Sequence, residues 1–353
     1  MGKYILDLKN DIDYTAGSKA RNDAESILKG LGFEPRYIHL TKKKKNVYGT
    51  IAAFLDIKQQ LVKIMNSLPD QSVLLVQYPW DFLRYGFSNF ICEKAKKKNI
   101  KTIVLIHDLN SCRTGSKVTR YYYNFIVREF AFLNNFDHII AHNNSMKSIL
   151  LENGVNEGKI KTINIFDYLT SVNVDIKSSQ KNYRNVNVGG NLSLNKAGYV
   201  YKLAKLHISN YNYSLFGPYF DGKSTEHVTY NGVFPAEELP KHINSGFGLV
   251  WDGDSLDSCN GNFGEYLKIN NPHKASMYIA CGIPVIVWRK AAIANFVLDN
   301  NVGIAINSLN ELDDFFGKLT LNDYKKYLDS VSSIRERITA GTCLKECIDN
   351  CIE

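Results

Sequence analysis

The sequence lacks a continuous apolar segment long enough to cross a membrane. Its longest apolar runs, such as TIVLIHDL and GIPVIVW, fall far short of the roughly 20 residues that a spanning helix needs. The first residues, MGKYILDLKNDIDYT, also lack the apolar core of a signal peptide. These absences predict a cytoplasmic protein with no membrane span.

Paired cysteines with the spacing of a redox or zinc motif are missing as well. The chain has seven cysteines, an odd number, and no CxxC pair. Free thiols in a reducing compartment fit this pattern better than a disulfide framework does. Cys343, Cys347 and Cys351 recur every four residues, so one helix would place them on one face. No histidine accompanies them, which favours a packed apolar face over a metal site.

Patterns typical of nucleic-acid binding, such as zinc fingers, RNP motifs and helix-turn-helix motifs, are absent, and we predict no nucleic-acid partner. The formal net charge is nevertheless +8, and lysines cluster at 42–45 and 94–101. Such clusters are usually solvated faces, but they can also attract an anionic lipid surface or a phosphate-bearing substrate. Peripheral association with the inner face of the cell membrane therefore stays open.

The sequence does have a repeated alternation of β-branched runs and amphipathic segments. KYILDLK, SVLLVQY and IKTIVLIHD are near-continuous apolar strands, the pattern of a parallel sheet covered by helices on both faces. With 353 residues, about two domains are expected. We predict an α/β fold of two doubly wound, Rossmann-like parallel-sheet domains facing a cleft. The predicted parts are an N-terminal domain at 1–168, a linker at 169–184, a C-terminal domain at 185–320 and C-terminal helices at 321–353.

Candidate site residues follow strands, because ligands in such sheets bind at the carboxyl ends of the strands. Gly190 and Asn191 come directly after a strand and before a helix, which suits either a phosphate loop or a plain turn. Tyr219 follows the next strand and could stack on a base or close the core. His107 and Asp108 follow TIVLI, where a carboxylate could act as a general base or cap a turn.

An acidic loop follows the strand GFGLVW and carries Asp252, Asp254, Asp257 and Glu265. Its spacing departs from the calcium-loop pattern, which predicts a solvated loop and no metal site. His273 and Lys274 then open the segment NNPHKASMYIACGIPVIV. There the positive end of a helix dipole and an ammonium group would meet one anion.

Three of these stretches together resemble the nucleotide-binding half of GT-B glycosyltransferases: GFGLVWDGDS, NPHKASMYIACGIPVIVW and VGGNLSLNKAG. IHDLNSCR resembles the His-Asp turn in the first half of the same group, so the resemblance covers nearly the whole chain. The match is closest to bacterial galactofuranosyltransferases, whose relatives include the glucosyltransferases that extend sugars on serine-rich adhesins.

The resemblance implies a UDP-sugar donor, no further cofactor, and an acceptor held mainly by the N-terminal domain. Lys274 would contact the diphosphate, Gly190 and Asn191 would lie beside it, and Tyr219 would lie at the nucleoside. Thr15 would approach the donor from an N-terminal loop. Asp108 would be the base, with His107 beside it. The full implied donor-binding set is Lys274, His273, Gly190, Asn191, Tyr219, Thr15 and Glu265.

One departure from the family pattern bears on stereochemistry. Many retaining GT-B enzymes carry a glutamate five residues before the glycine of the G-x-P turn, and this chain has Met277 there. Without that glutamate pair, we predict inversion, in which a base deprotonates the acceptor hydroxyl for direct attack at the anomeric carbon.

The predicted function is transfer of a hexosyl group from a UDP-sugar to a glycan or lipid-linked sugar in cell-surface polysaccharide synthesis. The best candidate for the donor is UDP-galactofuranose. A transferase that uses UDP-glucose or UDP-galactose on protein-linked glycans is an alternative. A non-catalytic subunit that binds sugar nucleotides is another, because a fold does not guarantee a function. The C-terminal helices could pack back on the first domain or form a homo-oligomer interface.

Overall fold

The computed structural model describes residues 1–9, 16–39, 47–80, 87–113, 129–173, 180 and 182–353. Within this part of the chain there are two compact units. Of the described residues, the first unit contains those within 1–9, 21–163 and 344–353, and the second contains those within 16–20 and 164–343. The start of the first helix and the described residues of the predicted linker thus go with the second unit, and the last ten residues go with the first.

In its described residues the first unit has a six-stranded parallel sheet with the order β2-β1-β3-β4-β5-β6. β3 and β4 are almost wholly buried apolar strands, because helices cover both faces of a sheet of this kind. The strands are β1 Lys3–Lys9, β2 Glu34–His39, β3 Val73–Tyr78, β4 Lys101–Ile106, β5 His138–Ala141 and β6 Ile160–Thr162. The helices given bounds are α1 Ala16–Gly30, α2 Val47–Ser67, α3 Phe87–Lys97, α4 Asn110–Arg113 and α5 Asn144–Glu152.

The second unit, over 182–343, repeats the design with the strand order β12-β11-β10-β7-β8-β9. Its strands are β7 Asn185–Gly189, β8 Asn212–Phe216, β9 Val228–Tyr230, β10 Phe247–Val250, β11 Val285–Trp288 and β12 Gly303–Ile306. Its helices are α6 Leu194–Ala197, α7 Leu239–His242, α8 Gly261–Tyr266, α9 His273–Ala280, α10 Ala294–Asp299, α11 Leu312–Lys318 and α12 Leu321–Thr339. A last helix, α13 Thr342–Ile352, follows. The predicted α/β class with two doubly wound parallel sheets is confirmed.

Both sheets have a topological switch point, where consecutive connections leave in opposite directions. It lies between β1 and β3 in the first sheet and between β7 and β10 in the second. Crevices for ligands form outside the carboxyl ends of strands at such points. The loops after β7 and β10 are therefore where the fold itself favours a site.

The segment KAGYVYKLAKLH is not the single α-helix that its pattern predicts. After α6 the chain continues as a 3₁₀ helix over Gly198–Lys205. Tyr199 donates its backbone N–H to Gly253 O at 3.1 Å. A side chain at Gly198 would also fall within 2.8 Å of Asp254 Cβ. Contact with the loop after β10 thus takes the place of regular α-helical bonding.

Two lysines of the cluster at 94–101 have structural partners. Lys98 Nζ donates to carbonyls at the end of α2, including Asn66 O at 3.0 Å, and Lys101 Nζ donates to Ile352 O at 2.8 Å in α13. Cations at helix C-termini stabilise the exposed carbonyls and the helix dipole. The other cluster, Lys42 to Lys45, lies outside the described residues.

The three cysteines of α13 are buried. Cys347 Sγ lies 3.6 Å from Thr162 O, and burial raises the pKa of the Cys351 thiol to about 11. They form part of the packed face of the helix.

None of the helices in the described part of the chain combines the length and the apolar character that a bilayer span requires.

α9 packs directly on β10 where that strand carries a glycine. A Cβ at Gly248 would fall 2.0 Å from Cγ of the buried Tyr278 ring. Gly248 is in register with Asn187 and with Val285, so its backbone cannot shift without disturbing both neighbouring strands. The glycine is therefore required by the ring above it.

We expect Gly248→Ala to lower the free energy of unfolding by about 3 kcal/mol or more, because the methyl group overlaps a ring that cannot move aside. Gly317→Ala is the matched control within α11 of the same unit. Its Cβ would meet only Asn210 Nδ2 at 3.8 Å, so a small gain of up to ~1 kcal/mol is expected from helix propensity. Urea unfolding of both variants measures the difference, and equal stabilities would contradict the packing argument.

Candidate functional site

The loops after β7 and β8 are joined by their backbones. Gly190 N donates to Phe216 O at 2.9 Å, and Leu192 N donates to Pro218 O at 3.0 Å. A Cβ at Gly217 would fall 1.8 Å from Gly190 O, so no other residue fits at Gly217. The two glycine turns that the sequence points to thus form one rigid ledge at the carboxyl edge of the sheet.

A tyrosine of α9 fixes the end of β7 below this ledge. The hydroxyl of the buried Tyr278 accepts a hydrogen bond from Gly189 N at 2.6 Å. A buried N–H at a strand end needs a partner, and the hydroxyl satisfies it where no further strand residue can. Tyr278 therefore couples the position of α9 to that of the glycine loop.

Lys274 lies beside the same loop. Its Cδ is 3.7 Å from the place where a Cβ of Gly190 would be. Its ammonium pairs with Asp252 Oδ1 at 2.9 Å, and the two side chains are only 18% and 8% exposed. The structure thus brings Lys274 and Gly190 together as predicted, and it adds a carboxylate partner from the loop after β10.

His273 lies among aromatic rings at the start of α9. Its ring centroid is 6.1 Å from that of Phe166 and 5.2 Å from that of Tyr168. Burial, and then the nearby Lys19 ammonium, lowers the pKa of His273 to about 4. His273 is therefore neutral near pH 7 and adds no positive charge beside Lys274. Its buried Nε2 has no hydrogen-bond partner within the described part of the chain.

Lys19 is a second buried cation of this unit. Its Nζ donates to Leu169 O at 2.8 Å and lies 4.7 Å from the centroid of the Tyr168 ring, the ring that also contacts His273. An ammonium is attracted to the negative face of an aromatic ring, most strongly where water is excluded. Lys19 thus holds the first turns of α1 to the segment that packs on His273.

Two further predicted residues lie on the ledge. The Asn191 side chain accepts a hydrogen bond from Ser193 N at 2.9 Å, which shapes the turn that leads into α6. Tyr219 has a positive φ of 70°, and the residue is 68% exposed. A large exposed aromatic ring on a constrained turn suits stacking on a planar ligand group, not closing the core.

Glu265 does not join these residues. It lies in α8, more than half exposed, and its carboxylate pairs with Lys268 at 2.5 Å. Nor do the acidic side chains after β10 converge. Asp254 pairs with Asn260, Asp257 accepts from Asn310, and the described residues hold no group of three or more potential metal ligands.

In the first unit, His107 and Asp108 follow β4 as predicted. His107 Nε2 lies 2.8 Å from Gln77 Oε1, an acceptor, which makes Nε2 the donor. Gln77 Nε2 donates to Asp7 Oδ2 at 2.9 Å, and Asp7 also pairs with Arg21. Burial raises the pKa of Asp7, and Arg21 opposes that shift. This series of hydrogen bonds crosses the carboxyl ends of β1, β3 and β4 and orients the imidazole of His107.

The turn that carries Asp108 is held from both sides. Asp108 Oδ2 accepts from Arg113 at 2.7 Å. Just beyond it, the buried Glu129 accepts from the N–H groups of Asn110 and Ser111, each at 2.9 Å. Glu129 thereby caps the start of α4 in the manner of an N-cap carboxylate. Thr15, the remaining predicted residue, lies outside the described residues.

Two family models match the chain from end to end. The model described as Glucosyltransferase 3-like, N-terminal domain, matches residues 2–165, and the model described as Glucosyltransferase 3-like, C-terminal domain, matches residues 186–351. The chain belongs to the glucosyltransferase 3-like family. The predicted resemblance is confirmed.

Two bacterial transferases are similar to the chain over most of its length. The chain is 30% identical over 350 residues to the Beta-1,6-galactofuranosyltransferase WbbI of Escherichia coli K12, covering 98% of this chain and 97% of that one. It is 25% identical over 318 residues to Glucosyltransferase 3 of Streptococcus gordonii, covering 88% and 86%.

Solved structures with the same architecture confirm the GT-B fold. Anabaena Alr3699/HepE, crystallised with UDP and glucose, matches with a TM-score of 0.60 at 13% identity, covering 99% of both chains. WaaG, a glycosyltransferase of lipopolysaccharide biosynthesis, matches with a TM-score of 0.57 at 12% identity, covering 97% and 98%.

For this glucosyltransferase 3-like chain, sequence patterns alone do not reveal several partners of the candidate residues within each unit. Asp7 and Gln77 could have been found, because a polar residue within the apolar runs ILDLK and LLVQY breaks the pattern of a buried strand. Asp252 was noted only as part of an acidic loop. Lys19 and Glu129 gave no sequence signal, since their partners are distant along the chain.

The lowered pKa of His273 predicts acid sensitivity. Above the histidine pKa of the unfolded chain, about 6.5, neither the folded nor the unfolded state binds the proton, so the contribution of His273 to the free energy of unfolding is fully present. Below it the unfolded state protonates first, and stability is lost as the pH falls toward the folded value of about 4. We expect wild type to lose about 2 kcal/mol more than His273→Gln between about pH 7 and about pH 4.5. Urea unfolding at both pH values checks this, and parallel losses would refute it.

Proposed function

We propose that the chain transfers a hexosyl group from a UDP-sugar to a glycan or lipid-linked sugar acceptor, and that galactofuranose is the best candidate for the transferred sugar. Family and fold make it a glycosyltransferase that uses a nucleotide sugar. The observation that carries the finer proposal is the ammonium of Lys274 beside the glycine ledge, at the switch point of the second sheet. The E. coli relative that covers almost the whole chain supports galactofuranose.

The donor diphosphate would meet Lys274, the first N–H groups of α9 and the turn at Gly190. A helix N-terminus and an adjacent ammonium favour an anion together, and they do so more strongly where water is excluded. Pro272, the N-cap residue of α9, has no N–H of its own. The exposed Tyr219 ring, on the joined turn, is placed to stack on the base or ribose.

Charge on the departing UDP would be stabilised by the same groups. In the structure the ammonium of Lys274 is paired with Asp252 at 2.9 Å, so a bound diphosphate would share the ammonium with that carboxylate or draw it away. We propose that no metal is needed, because the ammonium and the helix N-terminus supply positive charge where the leaving group develops it.

For the acceptor, we propose Asp108 as the general base. A carboxylate on a turn next to the one that Glu129 caps can remove the proton from an acceptor hydroxyl as that oxygen attacks the anomeric carbon. His107, oriented by Gln77, would position the acceptor or share the proton. Met277, next to Gly189, stands where retaining relatives carry a glutamate, and this supports inversion.

Two alternatives remain as distinct outcomes of an assay. A glucosyl- or galactosyltransferase would release UDP from UDP-glucose or UDP-galactose and not from UDP-galactofuranose. A non-catalytic binding subunit would bind UDP-sugars and release UDP from none of them with any acceptor. Peripheral membrane association is a further proposal, and among the described lysines of 94–101 it would depend on Lys96 and Lys97, which are exposed at the end of α3.

We expect Lys274→Met to weaken UDP binding about 10-fold or more, since a charge-assisted contact contributes about 1.5–3 kcal/mol. Asp252→Asn should tighten binding, because the ammonium then has no competing carboxylate. The double variant Lys274→Met/Asp252→Asn separates loss of a contact to the diphosphate from the effect of an unpaired Asp252. Its affinity for UDP stays low if Lys274 contacts the diphosphate. A return to the wild-type affinity would mean that the single variant acted only by leaving Asp252 unpaired. Titration calorimetry measures all three, with the exposed Lys318→Met as control.

We expect Asp108→Asn to lower kcat by about 100-fold or more while UDP affinity stays unchanged, as loss of a general base requires. The exposed Asp70→Asn in the same unit is the control. Release of UDP from a panel of UDP-sugars, with and without a chelator, gives the rates, and NMR of the product gives its anomeric configuration. Unchanged turnover in Asp108→Asn would contradict the assignment of Asp108 as the base. Inhibition by a chelator that magnesium or manganese reverses would contradict the proposal that no metal is needed.

A further inference from the structure

The second sheet has an unexpected polar face. Asn185 and Asn187 alternate along β7, and they lie in register with Asn212 and Ser214 of β8. Strands of a parallel sheet covered on both sides are normally apolar on both faces. The opposite face of these strands obeys that rule, since Val186, Val188, Tyr213 and Leu215 are all buried.

The connections around β9 explain why this face is not covered by a long helix. The segment between β8 and β9 contains no helix, and the segment between β9 and β10 contains only α7, which has four residues. A groove of about 580 Å³ remains over the polar face. Its lining includes none of Gly190, Gly217 and Lys274, and it meets the ledge only at Phe216, whose carbonyl accepts from Gly190 N.

The groove has an unusual lining. Among the described residues it is formed by seven asparagines, two serines, three aromatic residues, one histidine and one arginine, and no carboxylate contributes. An asparagine amide offers two donors and an accepting oxygen. The surface is therefore rich in paired donors and acceptors and almost free of charge.

Hydrogen bonds hold the inner amides in defined orientations. Asn187 Nδ2 donates to Ser245 O at 2.7 Å, and Asn185 Nδ2 donates to Asn187 Oδ1 at 3.0 Å. Ser214 Oγ donates to Asn185 Oδ1 at 3.2 Å. Asn212 Oδ1 lies 3.1 Å from His227 Nδ1, and the Asn212 side chain is exposed. Such a pre-arranged polar surface loses little entropy when a ligand binds.

The arginine of the groove does not make it an anion site. Arg184 Nη2 donates to Leu319 O at 3.1 Å, and its guanidinium lies 5.4 Å from the centroid of the Tyr183 ring. Its buried Nε has no partner within the described residues. One guanidinium so placed cannot offer the free bidentate fork that recognises phosphate, and the absence of carboxylates disfavours cations.

An aromatic pair lies at one side of the groove. Phe234 and His242 stack with ring centroids 3.8 Å apart and planes 28° apart. The negative face of an aromatic ring attracts the weakly positive C–H groups on the apolar side of a sugar ring. Each sugar hydroxyl in turn donates one hydrogen bond and accepts others, which matches an asparagine amide.

We propose that this groove is a second carbohydrate site, separate from the donor site, that binds a neutral saccharide stretch. The oriented amides bind its hydroxyls, and the rings at the side pack on its apolar faces. The enzyme would thus hold a glycan at a point other than the reacting sugar.

The test is saturation-transfer NMR on the full chain, with saturating UDP so that the ledge is occupied. The probes are cellotetraose, maltotetraose and a galactotetraose, with a tetragalacturonate as the charged comparison. We expect transfer to at least one neutral tetrasaccharide that exceeds transfer to the charged one. The signal should fall several-fold in Asn212→Leu/Asn244→Leu, whose sites are exposed, and stay unchanged in the exposed Asn322→Leu control.

Asn212→Asp is a milder second variant, which keeps the shape and removes the N–H donors, and it should also weaken the signal. The proposal is overturned if no neutral tetrasaccharide receives saturation, if UDP abolishes the signal, or if the groove variants retain it. It is also overturned if the groove variants change the oligomeric state by size-exclusion chromatography, because the face would then be an interface between copies.

Discussion

Two backbone turns approach each other at Gly190 and Gly217 so closely that a single methyl group between them would overlap a carbonyl oxygen. The rest of the candidate donor site depends on this contact. It sets the position of Asn191 and Tyr219 on one side, and Tyr278 ties the same loop to α9 on the other. Because α9 carries Lys274 at its start, one steric constraint places the glycine loop, the aromatic ring and the ammonium in a common frame.

The charges around that frame are balanced within the protein itself. Lys274 is paired with Asp252, Lys19 lies on the Tyr168 ring, and burial keeps His273 neutral. Unpaired buried charges are costly, and these partners offset that cost. Under the proposed function, the positive charge of Lys274 would reach a donor diphosphate by exchange of one anionic partner for another.

Polar residues interrupt buried parallel strands in both units. In the first unit Asp7 and Gln77 lie at the carboxyl edge and orient His107 through a hydrogen-bonded chain. In the second unit the asparagines of β7 and β8 lie along a sheet face, away from the donor ledge. The same departure from an apolar strand thus serves a strand-end site in one sheet and a groove in the other.

The sequence by itself determined the α/β class, the doubly wound parallel sheets, the family, the strand ends that carry Gly190, Tyr219 and Asp108, and the helix start that carries Lys274. These follow from local periodicity and short motifs, which depend on neighbouring residues. Only the tertiary structure decided that Asp252 pairs with Lys274, that His273 is neutral, that Glu265 pairs with Lys268, and that asparagines from separate strands line one groove. Such facts depend on side chains that are distant along the chain, and their proximity is set by packing, which no local pattern encodes.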